Sequence, residues 1–557
     1  MGGTLRSRAL IVAGTLSAAV VCGGWFLERG LRGHAGAGSV RASGGGAALF
    51  DEVADHVRRD FVDSLGDDQL YRNAVTGMLY ELGDPHTAYL TPDRFARLTE
   101  STNGLYVGLG VQIDIRDGWI TIVAPVPGSP AERAGLATGD RLVEVNGQPT
   151  QGWTQDEATK ALRGAPGSTV HLLIERPGVE THIPFTVARG EIHVPAVRRA
   201  AMIRPGVGYV DVAIFSDSTA QELRSAIDSL RGKGAKSIVF DLRRDPGGLL
   251  AQGVNVADLF LGSGDTIVSL RGRSAGTTQV YVNRYTERWP GMPVVVLVDR
   301  GSASASEIVA GALQDHDRAV LIGQPTYGKG SAQSVFQVDG GALKLTIARW
   351  YTPSGRSISR PTPPPADDGG DDEPDVTTDS ASAKRNSYRT SGGRLVYGGG
   401  GITPDLLIGD TATTSTAQVE FQRALGSKLP AFLDALTSYA LSLRGTHALH
   451  DPGFAVTPAM RDELWRRLQA RSIGIDRRTY DLATSVVDSA IATEVTRYVF
   501  GADGVFQRMV ATDSSVIVAA DLAGHATSPA DLLRRAAARA GSGSGTTAAA
   551  TSGRPGT

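Results

Sequence analysis

The sequence predicts a multidomain α/β protein whose largest domain contains a mostly parallel sheet. Apolar runs at residues 237–242 and 293–298 alternate with amphipathic helical segments such as residues 220–230. This order is typical of parallel strands joined by crossover helices. A stretch of short strand patterns at residues 104–188 indicates a separate β-rich unit, and helical periodicity dominates before it and after residue 411. The length of 557 residues fits two to four domains.

The composition is that of folded domains, with 41% hydrophobic residues. The formal net charge is −2, so we expect no nucleic-acid partner. The only cysteine is Cys22, so no intrachain disulfide can form. The acidic run at residues 367–373 lacks the spacing of a calcium loop, and His86 has no second ligand at metal spacing. We therefore expect no metal and no cofactor.

Residues 1–32 are interpreted as a signal anchor or a signal peptide. Arg6 and Arg8 precede an apolar run at residues 9–27, which is close to the length that spans a bilayer. The positive flank places the N-terminus in the cytoplasm and the remainder outside. Residues 35–37 fit a small-x-small cleavage pattern, although charges lie between them and the apolar run. We favour an uncleaved anchor in the cytoplasmic membrane and an extracytoplasmic location in the cell envelope, or periplasm.

A linker rich in Gly, Ala and Ser at residues 33–47 leads into a predicted helical segment at residues 48–103. Apolar residues recur at helical spacing between Leu49 and Leu82. The sequence Gly-Asp-Pro-His at residues 83–86 then breaks the pattern, and we interpret His86 as a turn residue.

The β-rich unit occupies residues 104–190. Turn residues such as Asn146-Gly147 separate its short apolar runs. The expected elements are strands at residues 111–113, 120–123, 141–145 and 170–176, and a helix at residues 155–162.

The stretch from Asp299 to Gln333 carries the candidate chemistry. A buried strand leads into a serine cluster at residues 301–306 and then into a helix, whose N-terminus offers unpaired N–H groups. A second short strand at residues 319–322 is followed by Lys329, which lies between two glycines. A serine attacks a carbonyl only if a base takes its proton, and lysine can do so when burial or a cation keeps it neutral. Taken singly, these features also fit a serine-rich helix cap and a surface lysine.

The combined motif S-A-S-A-S-E, L-Q-D and G-K-G-x-x-Q resembles that of the C-terminal processing peptidases, the tail-specific proteases of serine peptidase family S41. By this resemblance, Ser304 is the nucleophile, Lys329 is the general base and Gln333 orients the lysine. Glu307 and Asp315 match acidic residues of the family and have a supporting role at most. The resemblance covers roughly residues 49–410 and implies a serine endopeptidase with a Ser–Lys dyad.

The sequence D-L-R-R-D-P-G-G at residues 241–248 resembles the loop that faces the nucleophile in this family. By the resemblance, the N–H of Gly247 or Gly248 forms the oxyanion hole together with the N–H of Ala305. The family usually has asparagine where this chain has Asp245. Because a carboxylate beside a developing oxyanion is unfavourable, we expect the side chain of Asp245 to point away.

The β-rich unit resembles a PDZ domain through its GLGV sequence and the sequence AGLATGDRLVEVNG. A PDZ domain binds the C-terminal carboxylate of a peptide, which adds to the domain as a strand. The resemblance therefore implies protein substrates with apolar C-termini, although a PDZ domain that only packs against its neighbours is the alternative. The expected peptide-binding residues are Gly108, Leu109, Gly110, Ala158 and Leu162.

The peptidase core is assigned to residues 191–410, and a proline- and acid-rich stretch at residues 361–397 is interpreted as a disordered insertion. Residues 411–540 are predicted to be helical, and residues 541–557 form a flexible tail. The helical region shows no chemistry of its own, so dimerisation and substrate tethering both stay open. An activator or a homo-oligomer stays open as well.

Parts of the sequence also fit three other functions. Gly323-x-x-x-x-Gly328-Lys329 approaches a phosphate-binding loop, but Gly330 replaces the Ser or Thr that holds magnesium. A Ser/His/Asp triad lacks a histidine in reach, because His316 lies about three turns along the same helix from Ser304. A catalytically silent PDZ scaffold of the cell envelope is the remaining alternative, and the intact serine and lysine motif argues against it.

Overall fold

The structure of the protein is a computed structural model that describes residues 45–360, 386–408, 416–446 and 448–543. These residues divide into two compact units, one ending at Leu82 and the other beginning at Gly83. Within the described ranges, no helix has the length and apolar character that crossing a membrane requires. The predicted anchor at residues 9–27 and the tail beyond residue 543 lie outside the described residues.

The first unit contains two helices, Gly45–Asp60 and Asp67–Tyr80. They confirm the helical periodicity predicted for this part of the sequence. The rings of Phe50 and Tyr71 lie 6.2 Å apart between centroids and join the two helices.

The second unit is organised around a six-stranded, mostly parallel sheet. Its first two strands pair antiparallel and all the others pair parallel. The two central strands are buried at every position, which explains their continuous apolar sequences. In spatial order the strands are Val197–Arg204, Val207–Val212, Ser237–Asp241, Val294–Val298, Val320–Gly323 and Leu406–Leu407.

Helices cover both faces of this sheet. Alternate strand residues such as Phe240 and Val296 pack with the helices Thr219–Gly232, Leu250–Asp258 and Ala305–Asp315. The intervening residues, among them Val239 and Val295, pack with helices from the end of the chain. Those helices are Ser514–His525 and Pro529–Gly543. The last part of the predicted helical region therefore completes the core around this sheet.

A second, antiparallel sheet lies beside the first and carries the segment after Lys329. Strand Gly341–Tyr351 pairs with Ser331–Val338 on one side and with Thr266–Gly272 on the other. The remaining strands are Ala88–Leu90 and Gln279–Val282. The helix Pro92–Asn103 and the 3₁₀ turn Ala275–Thr277 contact this sheet.

The insertion predicted for residues 361–397 differs in part from the structure. Ser387–Arg389 and Leu395–Tyr397 form a two-stranded hairpin. The guanidinium of Arg394 anchors this hairpin through ion pairs of 2.6 Å with Asp317 and 2.5 Å with Asp405. Both partners lie outside the predicted insertion, so its polar composition gives no sign of them.

The β-rich unit is a six-stranded sheet with a separate pair formed by Leu105–Gly108 and Gly190–His193. Every predicted strand is present, and the predicted helix Gln155–Leu162 has the predicted bounds. The strands of the sheet are Val111–Arg116, Trp119–Pro125, Arg141–Val145, Gln148–Pro149, Thr169–Glu175 and Ile183–Ala188, and a short helix spans Pro130–Ala134.

The first part of the C-terminal helical region forms a core of its own around residues such as Phe421, Leu464 and Tyr480. It contacts the β-rich unit, where Arg471 forms an ion pair of 2.6 Å with Asp117. Its elements are Thr416–Leu425, Gly426–Lys428, Leu429–Thr446, Pro458–Ala470, Arg477–Leu482, Thr484–Val495 and the π-helical turn Thr496–Phe500. The next helix, Gly501–Thr512, packs against the core of the parallel sheet through Phe506, Met509 and Val510.

Candidate active site

The three serines of the S-A-S-A-S segment have different environments. Ser302 is buried, and its hydroxyl donates to the carbonyl oxygen of Leu242 at 2.7 Å. Ser306 is buried as well, and its hydroxyl donates to the carbonyl oxygen of Asp245 at 3.0 Å. Ser304 is partly exposed. The geometry therefore leaves Ser304 as the serine of this segment that a substrate can reach.

Ser304 lies in a strained backbone conformation at the junction of strand and helix. Its φ of 55° and ψ of −113° fall outside the regions that L-residues prefer. It directly precedes the helix Ala305–Asp315, whose first N–H groups have no partner within the helix. Strain of this kind persists where the surroundings fix the backbone, and it is concentrated at functional sites.

The buried carboxylate of Glu307 fixes that backbone. Its Oε2 accepts hydrogen bonds from the N–H groups of Ser304 and Lys329, each at 2.9 Å. Its Oε1 accepts from the hydroxyl of Thr326 at 2.5 Å and from the N–H of Gly328 at 2.7 Å. Burial raises the pKa of Glu307, and these four donors oppose that rise. The side chain of Glu307 thus joins the turn at residues 302–306, here called the serine turn, to the Gly-Lys-Gly segment at residues 328–330.

The backbone of Lys329 is fixed by hydrogen bonds at both its N–H and its carbonyl oxygen. Its carbonyl oxygen accepts from the indole N–H of Trp350 at 3.0 Å, while Glu307 accepts from its N–H. Burial lowers the pKa of its ammonium, and the positive charge of Lys344 lowers it further against the opposing charges of Glu307 and Asp84. Within the described residues the ammonium of Lys329 forms no hydrogen bond, and therefore none with Ser304.

The loop at residues 241–248 approaches the serine closely. A Cβ at Gly247 would lie 2.5 Å from the carbonyl oxygen of Ala303 and 2.7 Å from the nitrogen of Ala305. The N–H of Gly247 donates to Oδ1 of Asp245 at 2.8 Å, so Asp245 occupies this candidate oxyanion donor instead of pointing away from the loop. The N–H groups of Gly248 and Ala305 have no acceptor in the part of the chain that the structure describes.

Two predicted site residues do not join this arrangement. The amide of Gln333 donates to the hydroxyls of Ser331 at 2.8 Å and Thr346 at 3.2 Å rather than contacting Lys329. Asp315 lies at the other end of the helix that begins after Ser304, where its carboxylate forms a buried ion pair of 2.7 Å with Arg356. Asp315 therefore supports the fold and not the serine turn.

The turn that contains His86 lies near the lysine, although we interpreted His86 only as a turn residue. Burial and the charge of Lys329 lower the pKa of His86. The carboxylate of Asp84 accepts from the backbone N–H of His86 at 3.1 Å, and Thr346 N–H donates to the Thr87 hydroxyl at 3.1 Å. The hydrogen bond between Thr346 and Thr87 connects the turn to the hairpin that carries Gln333. The sequence gives no sign of this proximity, because the two segments are far apart along the chain.

A groove in the β-rich unit encloses a cavity of about 340 Å³. Four of the candidate peptide-binding residues, Gly108, Leu109, Gly110 and Leu162, line it. Ala158 is buried in the hydrophobic core of the unit. Arg163 also lines the groove, and its guanidinium lies 5.4 Å from the centroid of the Tyr106 ring.

No group of three or more His, Cys, Asp or Glu side chains in the described ranges is arranged to hold a metal ion. The arrangement around Ser304 consists instead of a reachable hydroxyl, a lysine with a lowered pKa and two N–H groups without acceptors. These are the components that acyl transfer through a serine requires.

Comparison with known proteins agrees with this chemistry. Residues 206–365 match peptidase family S41, and residues 121–176 match the PDZ domain. The solved photosystem II D1 C-terminal processing protease is 29% identical over 57% of this chain and 91% of its own, with a TM-score of 0.33.

Two curated relatives are carboxy-terminal processing proteases. The carboxy-terminal-processing protease of Bartonella bacilliformis is 38% identical over 316 residues, which are 56% of this chain and 72% of that protein. The carboxy-terminal processing protease CtpA of Bacillus subtilis is 36% identical over 319 residues, 57% of this chain and 68% of that protein. The predicted resemblance, fold class and enzyme class are thus confirmed. The chain belongs to peptidase family S41, as a serine-type carboxy-terminal processing protease with a PDZ domain.

Proposed function

We propose that this protein is a serine endopeptidase in which Ser304 is the nucleophile and Lys329 is the general base. The observation that carries the proposal is the pair of hydrogen bonds that Glu307 accepts from the backbones of Ser304 and Lys329. They join a partly exposed serine to a lysine whose pKa is lowered. A neutral lysine at this position can take the serine proton near neutral pH.

The first chemical step is attack by Ser304. Lys329 in its neutral form accepts the hydroxyl proton while the Oγ bonds to the peptide carbonyl carbon. The negative charge that develops on the carbonyl oxygen is stabilised by the N–H groups of Ala305 and Gly248, which have no acceptor within the described residues. The protonated Lys329 then donates its proton to the leaving amine, and the acyl-enzyme forms.

Hydrolysis of the acyl-enzyme repeats these chemical steps with water as the nucleophile. Lys329 takes a proton from water, the hydroxide oxygen bonds to the acyl carbon, and Ser304 leaves with the proton that Lys329 returns. The Lys329 ammonium forms no hydrogen bond among the described residues, so in this proposal its contact with Ser304 forms when substrate binds. Catalytic contacts are often loose before substrate binds, and they tighten in the complex.

We propose that the PDZ domain captures the C-terminus of the substrate. The N–H groups of Leu109 and Gly110 have no acceptor within the described ranges and can donate hydrogen bonds to a terminal carboxylate. Leu162 lines the same groove and provides an apolar surface for the last side chain. Unfolded proteins with apolar C-termini are therefore the proposed substrates.

The proposed location is the extracytoplasmic side of the cytoplasmic membrane. This part rests on the N-terminal sequence, in which Arg6 and Arg8 precede the apolar run at residues 9–27. Protease protection of a tagged chain in intact cells and in spheroplasts tests the location, since a tag after residue 543 is expected to be accessible only from outside the cytoplasm.

Cleavage of an unfolded reporter tests the proposed activity. Reporters with an apolar tail, ending in either a free carboxylate or an amide, are incubated with wild type, Ser304→Ala and Lys329→Ala. We expect wild type to cleave the free-carboxylate reporter at least ~10-fold faster than the amide, and both variants to be inactive. Binding of the tail without cleavage by wild type would instead favour the silent scaffold.

A further inference from the structure

Asp245 is a buried acid whose two carboxyl oxygens have different environments. The residue is 0% exposed. Its Oδ1 accepts from the N–H of Gly247 at 2.8 Å, whereas its Oδ2 is buried and has no hydrogen-bond partner among the described residues. An ionised carboxylate without a donor on one oxygen is costly in such a site. The surroundings therefore favour the uncharged acid.

The backbone of Asp245 contacts the serine turn directly. Its carbonyl oxygen accepts from the N–H of Ala303 at 2.9 Å and from the hydroxyl of Ser306 at 3.0 Å. These two residues flank the proposed nucleophile at positions −1 and +2. Asp245 is thus placed where the loop of Gly247 and Gly248 meets the loop of Ser304.

The charged groups that act on Asp245 come from neighbouring strands. Arg198 favours its ionised form and Asp211 disfavours it, and these two side chains form an ion pair of 2.7 Å with each other. On the adjacent helix, the carboxylate of Glu307 is occupied by its four donors. Burial is the largest influence and raises the pKa of Asp245 to about 8, although the Gly247 N–H and the nearby Ser306 hydroxyl oppose the rise.

We infer that Asp245 works as an uncharged carboxylic acid that positions the Gly247–Gly248 loop against Ser304, and that loss of its proton inactivates the site. This inference rests on the proposed function and assigns a pH limit to the same site. The uncharged acid has nearly the shape and charge of the asparagine amide. It accepts from Gly247 N–H while leaving the N–H of Gly248 free.

Ionisation of Asp245 has a direct consequence for catalysis. It introduces a negative charge next to the place where the carbonyl oxygen becomes negative, so it opposes the stabilisation supplied by Ala305 and Gly248. Loss of the Lys329 proton as pH rises increases activity, whereas loss of the Asp245 proton decreases it. The expected profile of kcat/KM for wild type is bell-shaped.

The first test compares the pH profiles of wild type and Asp245→Asn between pH 5 and 10. We expect kcat/KM of wild type to fall at alkaline pH, approaching tenfold per pH unit as for one titrating group, and that of Asp245→Asn not to fall there. The control is Asp258→Asn, which replaces another acid whose pKa is raised by burial. This variant should retain the alkaline fall in kcat/KM. The same alkaline fall in Asp245→Asn overturns the inference.

The second test does not depend on activity. The pKa of Asp245 rises from 3.8 to about 8 on folding, so the folded state retains a proton that the unfolded state loses. Stability from this group is complete below pH 3.8 and is lost as pH rises to about 8. The Tm of Asp245→Asn minus that of wild type should therefore increase across this range and become constant above it.

The two tests separate the possible failures. A Tm difference that is independent of pH shows that Asp245 does not hold the proton and overturns the inference. If the Tm difference depends on pH but kcat/KM of Asp245→Asn falls at alkaline pH as in wild type, Asp245 holds the proton but its loss does not inactivate the site. This result overturns the proposed pH limit. If wild type cleaves nothing at any pH, the proposed function fails, and the proposed pH limit on activity fails with it. The Tm series then still decides whether Asp245 holds a proton.

Discussion

The backbone N–H of Lys329 donates to the carboxylate of Glu307 at 2.9 Å, and the same oxygen accepts from the N–H of Ser304. Glu307 lies three residues after the serine on the helix Ala305–Asp315, whereas Lys329 belongs to a later segment. The position of the lysine relative to the serine therefore depends on a third, buried side chain.

This relationship predicts that Glu307→Gln is strongly impaired. The amide NH₂ of glutamine cannot accept the hydrogen bonds that one carboxylate oxygen accepts, so two buried donors lose their partner. We expect a loss of ~2–4 kcal/mol in the free energy of unfolding. We also expect kcat/KM to fall at least ~100-fold through misplacement of the dyad. Urea unfolding and steady-state kinetics measure the two effects.

The matched control is Asp315→Asn at the other end of the same helix. It breaks the buried pair with Arg356 and should lower the free energy of unfolding by ~3–5 kcal/mol. Its kcat/KM per folded molecule should stay within about threefold of wild type, because Asp315 does not contact the serine turn. An equal loss of activity in both variants would contradict the special role of Glu307.

Lys329→Arg should be inactive at every pH between 6 and 10. Guanidinium stays charged in this range and cannot accept the serine proton. In wild type, burial and Lys344 lower the pKa of Lys329, so the neutral fraction and kcat/KM should rise with pH before the ordinary lysine range is reached. A pH series of initial rates tests both statements, and an active Lys329→Arg variant would exclude the dyad.

Gly247→Ala should lose activity because of the close approach of two loops. The new Cβ would lie 2.5 Å from the carbonyl oxygen of Ala303, at a φ of 87° that L-residues rarely adopt. We expect kcat/KM to fall at least ~100-fold. The control Gly178→Ala has the same φ but no atom within 4 Å, so it should cost ~1 kcal/mol of stability and retain activity.

Removal of residues 514–557 should prevent folding. The helices Ser514–His525 and Pro529–Gly543 cover the face of the sheet that contains Val239 and Val295, and both valines are 0% exposed. Without this cover the apolar face contacts water, which favours aggregation. Removal of residues 544–557 alone is the control and should leave solubility and the circular dichroism spectrum unchanged. A soluble, folded protein without residues 514–557 would show that the cover is dispensable.

The sequence predicted those parts of the protein that depend on local patterns. The continuous apolar runs identified the buried strands, and the order of strands and helices identified the sheet. The multi-part motif predicted Ser304 and Lys329 as a dyad because their residue types occur in order within one segment. The GLGV sequence likewise predicted three residues that line the groove.

Contacts between distant segments could not be predicted in this way. Glu307 acts by accepting from backbone N–H groups, which every residue type carries, so its partners leave no trace in the sequence. The same reason explains why Asp245 binds Gly247 N–H instead of pointing away. His86 lies near Lys329 only because its turn is joined to the hairpin through Thr346. The role of the last two helices depends on the apolar face that they cover, in a sheet built mainly from residues 197–323.

The most direct test of the central claim compares kcat/KM for wild type, Ser302→Ala, Ser304→Ala and Ser306→Ala on one unfolded substrate. We predict a loss of at least ~1000-fold for Ser304→Ala. The other two variants remove a hydroxyl that donates to a backbone carbonyl, so they should lose ~1 kcal/mol of stability and less than ~10-fold in activity. Substantial activity in Ser304→Ala, or an equal loss in Ser302→Ala or Ser306→Ala, would contradict Ser304 as the nucleophile.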